Sequence, residues 1–182
     1  MAIKVAVVVG SLRKGSFSRM VAKAIEKEAP SDMSFEELSI RELPHFDQDL
    51  EAEPPKEWVA FREKIQAADA VLFVTPEYNR SVPGVLKNAI DVGSRPYGSS
   101  SWAGKPAAVV STSVGAVGGF GANHHLRQSL VFLGMPTMTQ PEAYVGNTGG
   151  LFGEGGELKN EDTKQFLATF AAAFDKWVRK HA

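Results

Sequence analysis

The feature that most constrains this chain is a regular alternation of short apolar runs with stretches of helical period. Strand-like runs fall at Val5–Val9, Phe35–Ile40, Ala70–Thr75 and Ala107–Thr112, with a weaker one around Thr137–Thr139. Three of them are continuous Val/Ala/Leu/Phe runs, which suit strands buried on both faces of a parallel sheet. Glu36 and Glu37 mark the second as an edge strand. Between the runs, Trp58, Phe61, Ile65 and Ala68 share one helical stripe, and Leu86, Ala89, Ile90 and Gly93 share another. The last helix presents Phe166, Leu167, Phe170, Phe174, Trp177 and Val178 on one face. Asp162 with Gln165 is expected to cap its start, and Arg179 and Lys180 suit its negative end. Strand starts recur at the spacing of repeated βα units, and no linker divides the chain. The expectation is α/β: one domain spanning residues 1–182, a doubly wound five-stranded parallel sheet with helices on both faces. Ligands of such sheets bind beyond the carboxyl ends of the strands, so the loops after strands one, three and four matter most.

Composition narrows the chemistry. The 182 residues include no cysteine, which excludes disulfides, thiolate metal ligands and thiol redox pairs. The net charge of −1 gives no general attraction to nucleic acid or anionic membrane. The opening residues do not read as a signal peptide, and no apolar run is long enough to cross a bilayer, so a cytoplasmic protein is expected.

The first loop, Gly10-Ser11-Leu12-Arg13-Lys14-Gly15-Ser16-Phe17-Ser18, follows strand one and opens a helix. Hydroxyls, cations and glycines meet there at a helix N-terminus, where unpartnered N–H groups and the positive dipole end favour an anion such as phosphate. Ser16-Phe17 stands where a P-loop needs Lys-Ser/Thr, and Leu12 breaks the G-x-G-x-x-G fingerprint. A single terminal phosphate fits better than a triphosphate or pyrophosphate. The second loop, Thr75 to Gly84, is stiffened by Pro76 and Pro83 and offers backbone groups and Tyr78 to a flat, polar-edged ring. Glu77 in it reads as a structural carboxylate rather than a general acid, with no His or second carboxylate nearby in sequence. The third loop, Ser111 to Gly121, is built of small residues that permit close approach by a ligand. The adjacent His124 and His125 diverge on a helix and suit a solvent or interface role better than a metal site.

These segments, with Pro76-Glu77-Tyr78-Asn79, Pro83-Gly84-x2-Lys87-Asn88-Ala89-Ile90-Asp91 and Ala103-Gly104-Lys105-Pro106, resemble the NADPH-dependent FMN reductase family, in its bacterial chromate/quinone reductase branch. The resemblance spans nearly the whole chain. It implies a flavodoxin-like fold of strand order 2-1-3-4-5 and bound FMN, with NADPH or NADH as donor. Quinones are the implied acceptors, and chromate, nitro and azo compounds further ones. It gives Ser11, Arg13, Ser16, Phe17 and Ser18 the FMN phosphate. Pro76, Glu77, Tyr78, Asn79 and Arg80 are given to the flavin ring, largely through backbone, and Ser113 makes a contact from the third loop. Ser18, Arg80 and Val92 stand where relatives often carry Asn, an aromatic residue and Trp; these departures bear on substrate preference and subunit packing. A homodimer or homotetramer is expected, with Tyr97 and Trp102 as apolar loop residues that a partner would cover. The alternatives are an electron carrier of flavodoxin type, against which the near-balanced charge speaks, and a flavin-free nucleotide-binding domain.

Overall fold

A computed structural model describes residues 2–181. Five strands, β1 (Ile3–Val9), β2 (Met33–Glu37), β3 (Ala70–Pro76), β4 (Ala107–Thr112) and β5 (Ala143–Val145), form one sheet in the order β2-β1-β3-β4-β5, all pairs parallel. Helices α1 (Phe17–Glu28), α2 (Lys56–Ala67), α3 (Gly84–Gly93), α4 (Phe120–Phe132) and α5 (Glu161–His181) provide the crossovers and the C-terminal cover.

The two-residue period of a strand divides the apolar side chains between two cores. Val5, Val7, Val9, Leu72, Val74, Ala108 and Val110 face Val21 and Ile25 of α1 and Leu167, Phe170, Phe174 and Val178 of α5. Their neighbours Ala6, Val8, Val71, Phe73, Ala107 and Val109 face Trp58, Phe61 and Ile65 of α2, with Leu86 and Ile90 of α3 and Leu126 and Leu130 of α4. Burial on both faces explains why the central strands read as unbroken apolar runs. Motif residues away from the sheet hold the crossovers. Lys105 donates to the Gln66 and Ala68 carbonyls that end α2, where burial lowers its ammonium pKa. Asn88 accepts the Phe46 N–H and donates to the Leu43 and Pro44 carbonyls.

Four expectations need correction. The fifth strand is not Thr137–Thr139. Thr137 makes one bridge to Ala107, but Pro141 lacks an N–H, residues 139–142 loop out, and the ladder resumes where Ala143 pairs with Val110. Strand two is Met33–Glu37 rather than Phe35–Ile40; Leu38 and Ile40 are buried beyond its end against the α2 side. Helix α5 is capped by Asn160, whose side-chain oxygen accepts the Thr163 N–H at 2.8 Å, not by Asp162. Trp102 is no surface residue. It is fully buried against Phe61 and Phe73, and its indole N–H donates to the Ile90 carbonyl at 2.9 Å. Only Tyr97 of that pair is exposed.

Candidate functional site

The loops after β1, β3 and β4 converge on a cavity of about 150 Å³ at the carboxyl edge of the sheet, at the switch point between β1 and β3. Ser11, Arg13, Ser16, Phe17, Ser18, Pro76, Glu77, Tyr78 and Ser113 line it, together with Thr112, Val114 and Thr148. Asn79 and Arg80 lie outside this lining, at the tip of the second loop.

The first loop reaches the cavity with its donors free. Ser16 caps α1, its hydroxyl accepting the Arg19 N–H at 3.2 Å, so the positive end of the α1 dipole faces the site. Among the described residues, the N–H groups of Ser11 through Ser18 have no protein acceptor. Ser11, Ser16 and Ser18 are buried, whereas the Arg13 side chain is exposed at the mouth. The Ser18 hydroxyl bonds the Thr112 hydroxyl at 2.7 Å, which ties the first loop to the third.

The second loop is shaped by its own turn. Tyr78 and Ser81 exchange reciprocal N–H···O=C bonds of 3.0 Å, and both residues between them, Asn79 (φ 51°) and Arg80 (φ 63°), are left-handed. Such a turn usually selects glycine, so this one is held from outside. The Glu77 carboxylate accepts the Ala122 N–H in the first turn of α4 at 3.0 Å, and the Ser81 hydroxyl bonds His125 Nδ1 at 3.0 Å. The Tyr78 N–H is thus engaged within the turn; those of Glu77, Asn79 and Arg80 have no protein acceptor among the described residues.

The third loop passes close behind. A Cβ on Gly118 (φ 64°) would lie 2.6 Å from the Tyr144 backbone, which explains glycine there. Phe120, His124 and Tyr144 pack beside it, and the Tyr144 hydroxyl bonds His124 Nε2 at 2.9 Å. Burial and the neighbouring Glu142 push the Tyr144 phenol up to about 12, so it keeps its proton through the neutral range. His124 and His125 therefore turn to different partners, Tyr144 and Ser81.

Three lining residues were missed by sequence reasoning. Thr112 and Val114 adjoin Ser113 and required only a wider window. Thr148 lies in Gly146-Asn147-Thr148-Gly149-Gly150, the loop after β5, where its hydroxyl is buried and has no hydrogen-bond partner among the described residues. The rule that ligands meet loops after strands would have found it, had the fifth strand been placed correctly.

A larger cleft, about 840 Å³, runs between α3 and α4, lined by Lys87, Asp91, His125 and Phe132 among others. It lies to the side of the strand ends and, among the described residues, has no comparable run of backbone donors without acceptors. For an anion the smaller cavity is the better candidate, because backbone donors rather than volume determine anion recognition.

Residues 3–150 match the family described as NADPH-dependent FMN reductase. A quinone reductase of Pseudomonas putida is 60% identical over 176 residues, 96% of this chain and 94% of that protein. A 2-hydroxy-1,4-benzoquinone reductase of a Burkholderia species is 48% identical over 179 residues, 98% of each. The solved structure of FerB, a flavoenzyme NAD(P)H:(acceptor) oxidoreductase from Paracoccus denitrificans, superposes with a TM-score of 0.93 at 44% identity, covering 98% of both chains.

Proposed function

The chain belongs to the NADPH-dependent FMN reductase family, and from that premise we propose that the cavity at the strand ends holds FMN for NAD(P)H-dependent reduction of quinones. The observation that carries the assignment of the cavity is the run of N–H groups from Ser11 to Ser18 with no protein acceptor among the described residues, at the positive end of α1. The lining fits the group. Amide and serine donors with Arg13 suit a dianionic phosphate. The hydroxyls of Ser18, Thr112 and Thr148 suit a polyhydroxylated chain, and the unpartnered Thr148 Oγ1 would gain a hydrogen bond from it. At about 150 Å³ the cavity suits the phosphate and chain better than a whole flavin, which would leave the ring over the second loop.

When bound, FMN supplies the redox chemistry, moving two electrons as hydride equivalents from NADPH or NADH to a quinone. The chain's own residues position and polarise. Ser11, Arg13, Ser16, Phe17 and Ser18, which line the cavity, would hold the phosphate. The N–H groups of Glu77, Asn79 and Arg80, without acceptors among the described residues, would offer donors to the ring edge and favour negative charge there, and Ser113 would add a contact from the third loop. Glu77 acts through the loop it anchors, since its carboxylate is already committed to α4. The half-exposed Tyr78 and the exposed Val114 flank the mouth and give flat aromatic substrates an apolar surface. Chromate, nitro and azo compounds are included as further acceptors of an open site. A cytoplasmic setting and a homodimer or homotetramer complete the reading. The exposed Val131 and Phe132 on α4 support an assembly, in place of the buried Trp102. Among the described residues no helix is long and apolar enough to cross a membrane.

Steady-state oxidation of NADPH and NADH with a benzoquinone tests the reading. Donor and acceptor alternating at one site predict parallel double-reciprocal lines. Flavin-bound protein that oxidises neither nucleotide would favour the electron-carrier alternative.

A further inference from the structure

On the side of the first loop away from the cavity, two arginines take three consecutive carbonyls. Arg19 donates from Nη1 to the Arg13 carbonyl at 3.0 Å and from Nη2 to the Ser11 carbonyl at 3.3 Å. Arg41 donates to the Leu12 carbonyl between them. Glu37, at the end of β2, fixes Arg19 by accepting its Nε–H with both oxygens at 2.8 and 3.0 Å. Arg19 and Glu37 are only partly exposed, their side chains retaining 29% and 36% of their accessible surface. Arg19, Glu37 and Arg41 enclose a small space on the β2 side of β1, whereas the cavity opens on the β3 and β4 side.

Peptide planarity turns this into a statement about the site. In a trans peptide the carbonyl of one residue and the N–H of the next point in opposite directions. Carbonyls of Ser11, Leu12 and Arg13 held toward β2 therefore turn the N–H groups of Leu12, Arg13 and Lys14 away from it. Those are among the amides that have no protein acceptor. Successive N–H groups turned to one side form an anion-binding concavity.

We propose that Arg19, Arg41 and Glu37 are positioning residues for phosphate recognition. By capturing the outer carbonyls of the first loop, they fix its amides toward the phosphate of the cofactor without touching it. The inference rests on the FMN reading of the cavity and adds a role for two cations that composition alone would assign to direct charge attraction. Attraction and positioning differ in what lysine can do. An ammonium in place of Arg19 keeps the charge, but it lacks the planar fork that serves two carbonyls and a carboxylate at once.

The test titrates flavin-depleted full-length protein with FMN and, separately, with riboflavin, following quenching of flavin fluorescence. Thermal unfolding reports whether each variant is folded. Arg19→Ala, Arg19→Lys and Arg41→Ala should each weaken FMN about tenfold or more, the equivalent of one charged hydrogen bond. Riboflavin, which has no phosphate, should bind each variant within about twofold of its affinity for the parent protein. Arg41 lies in an exposed loop, so its variant tests the idea even where Arg19→Ala fails to fold. Equal losses for FMN and riboflavin would make these residues general loop supports and overturn the proposal. So would unchanged FMN affinity, or full rescue by Arg19→Lys, which would indicate attraction by charge. A parent protein that binds riboflavin and FMN equally, or neither, would instead remove the phosphate reading of the cavity, and this inference with it.

Discussion

The loops after β1 and β3 border the same cavity and are both held from outside, but they use their own backbone groups differently. Among the described residues, the first makes no well-formed internal backbone hydrogen bond between Ser11 and Ser18. It is fixed from outside through its carbonyls, and its N–H groups are left for a ligand. The second closes on itself through the Tyr78–Ser81 pair, accepts two left-handed residues to do so, and is anchored to α4 through Glu77 and Ser81. A loop built for a charged group needs many unsatisfied donors, whereas a loop that supports a flat ring needs stiffness. Changes in the first should therefore act on affinity before stability, and changes in the second on stability before affinity.

The largest effect is expected at the mouth of the first loop. Arg13→Ala should weaken FMN binding by about 1.5–3 kcal/mol, the worth of a charge-assisted hydrogen bond, while thermal unfolding of the flavin-free protein stays unchanged because Arg13 is exposed. Calorimetry showing unchanged affinity would remove Arg13 from the site. Gly121→Ala probes the second loop from α4. Its new Cβ would lie 2.9 Å from both the Arg80 carbonyl oxygen and Glu77 Oε2, so the loop must move. A cost of about 1–3 kcal/mol is expected in urea unfolding, with FMN affinity following the loop rather than leading it. A stable Gly121→Ala protein would show that the loop is not pressed against α4.

Glu77 gives the smallest effect. Glu77→Ala removes a helix-terminal acceptor and should lower stability by about 1 kcal/mol. Glu77→Gln keeps an acceptor for the Ala122 N–H, so stability and most of the turnover should survive. A loss of several orders of magnitude in hydride transfer by Glu77→Gln with FMN still bound would contradict the comparison, since the carboxyl group itself would then be catalytic.

Legibility in the sequence follows the same division. The central strands were readable because burial on both faces leaves continuous apolar runs, and the edge character of β2 because Glu36 and Glu37 interrupt one. The donors of the first loop were readable because they are local and follow a strand. What fixes that loop was not. Glu37 and Arg41 lie far along the chain from Ser11, and nothing local marks them as partners of its carbonyls. The left-handed turn at Asn79-Arg80 was hidden for a related reason: arginine is a poor signal for a conformation that Ala122 and His125 of α4 hold through Glu77 and Ser81. Trp102 looked exposed because it ends a Gly/Ser-rich stretch, yet a buried acceptor, the Ile90 carbonyl, drew it into the core. The fifth strand and Thr148 failed together, since the β-branched Thr137 and Thr139 outweighed a short Ala-Tyr-Val strand beyond a proline.

FMN held at the strand ends is proposed to pass reducing equivalents from a nicotinamide nucleotide to a quinone. Stopped-flow mixing of the flavin-bound protein with NADPH or NADH under nitrogen tests it most directly. The flavin absorption band should bleach at a rate at least equal to steady-state turnover, and a quinone added afterwards should restore it. Bleaching slower than turnover by either nucleotide, or a bleached band that quinone leaves unchanged, would contradict it.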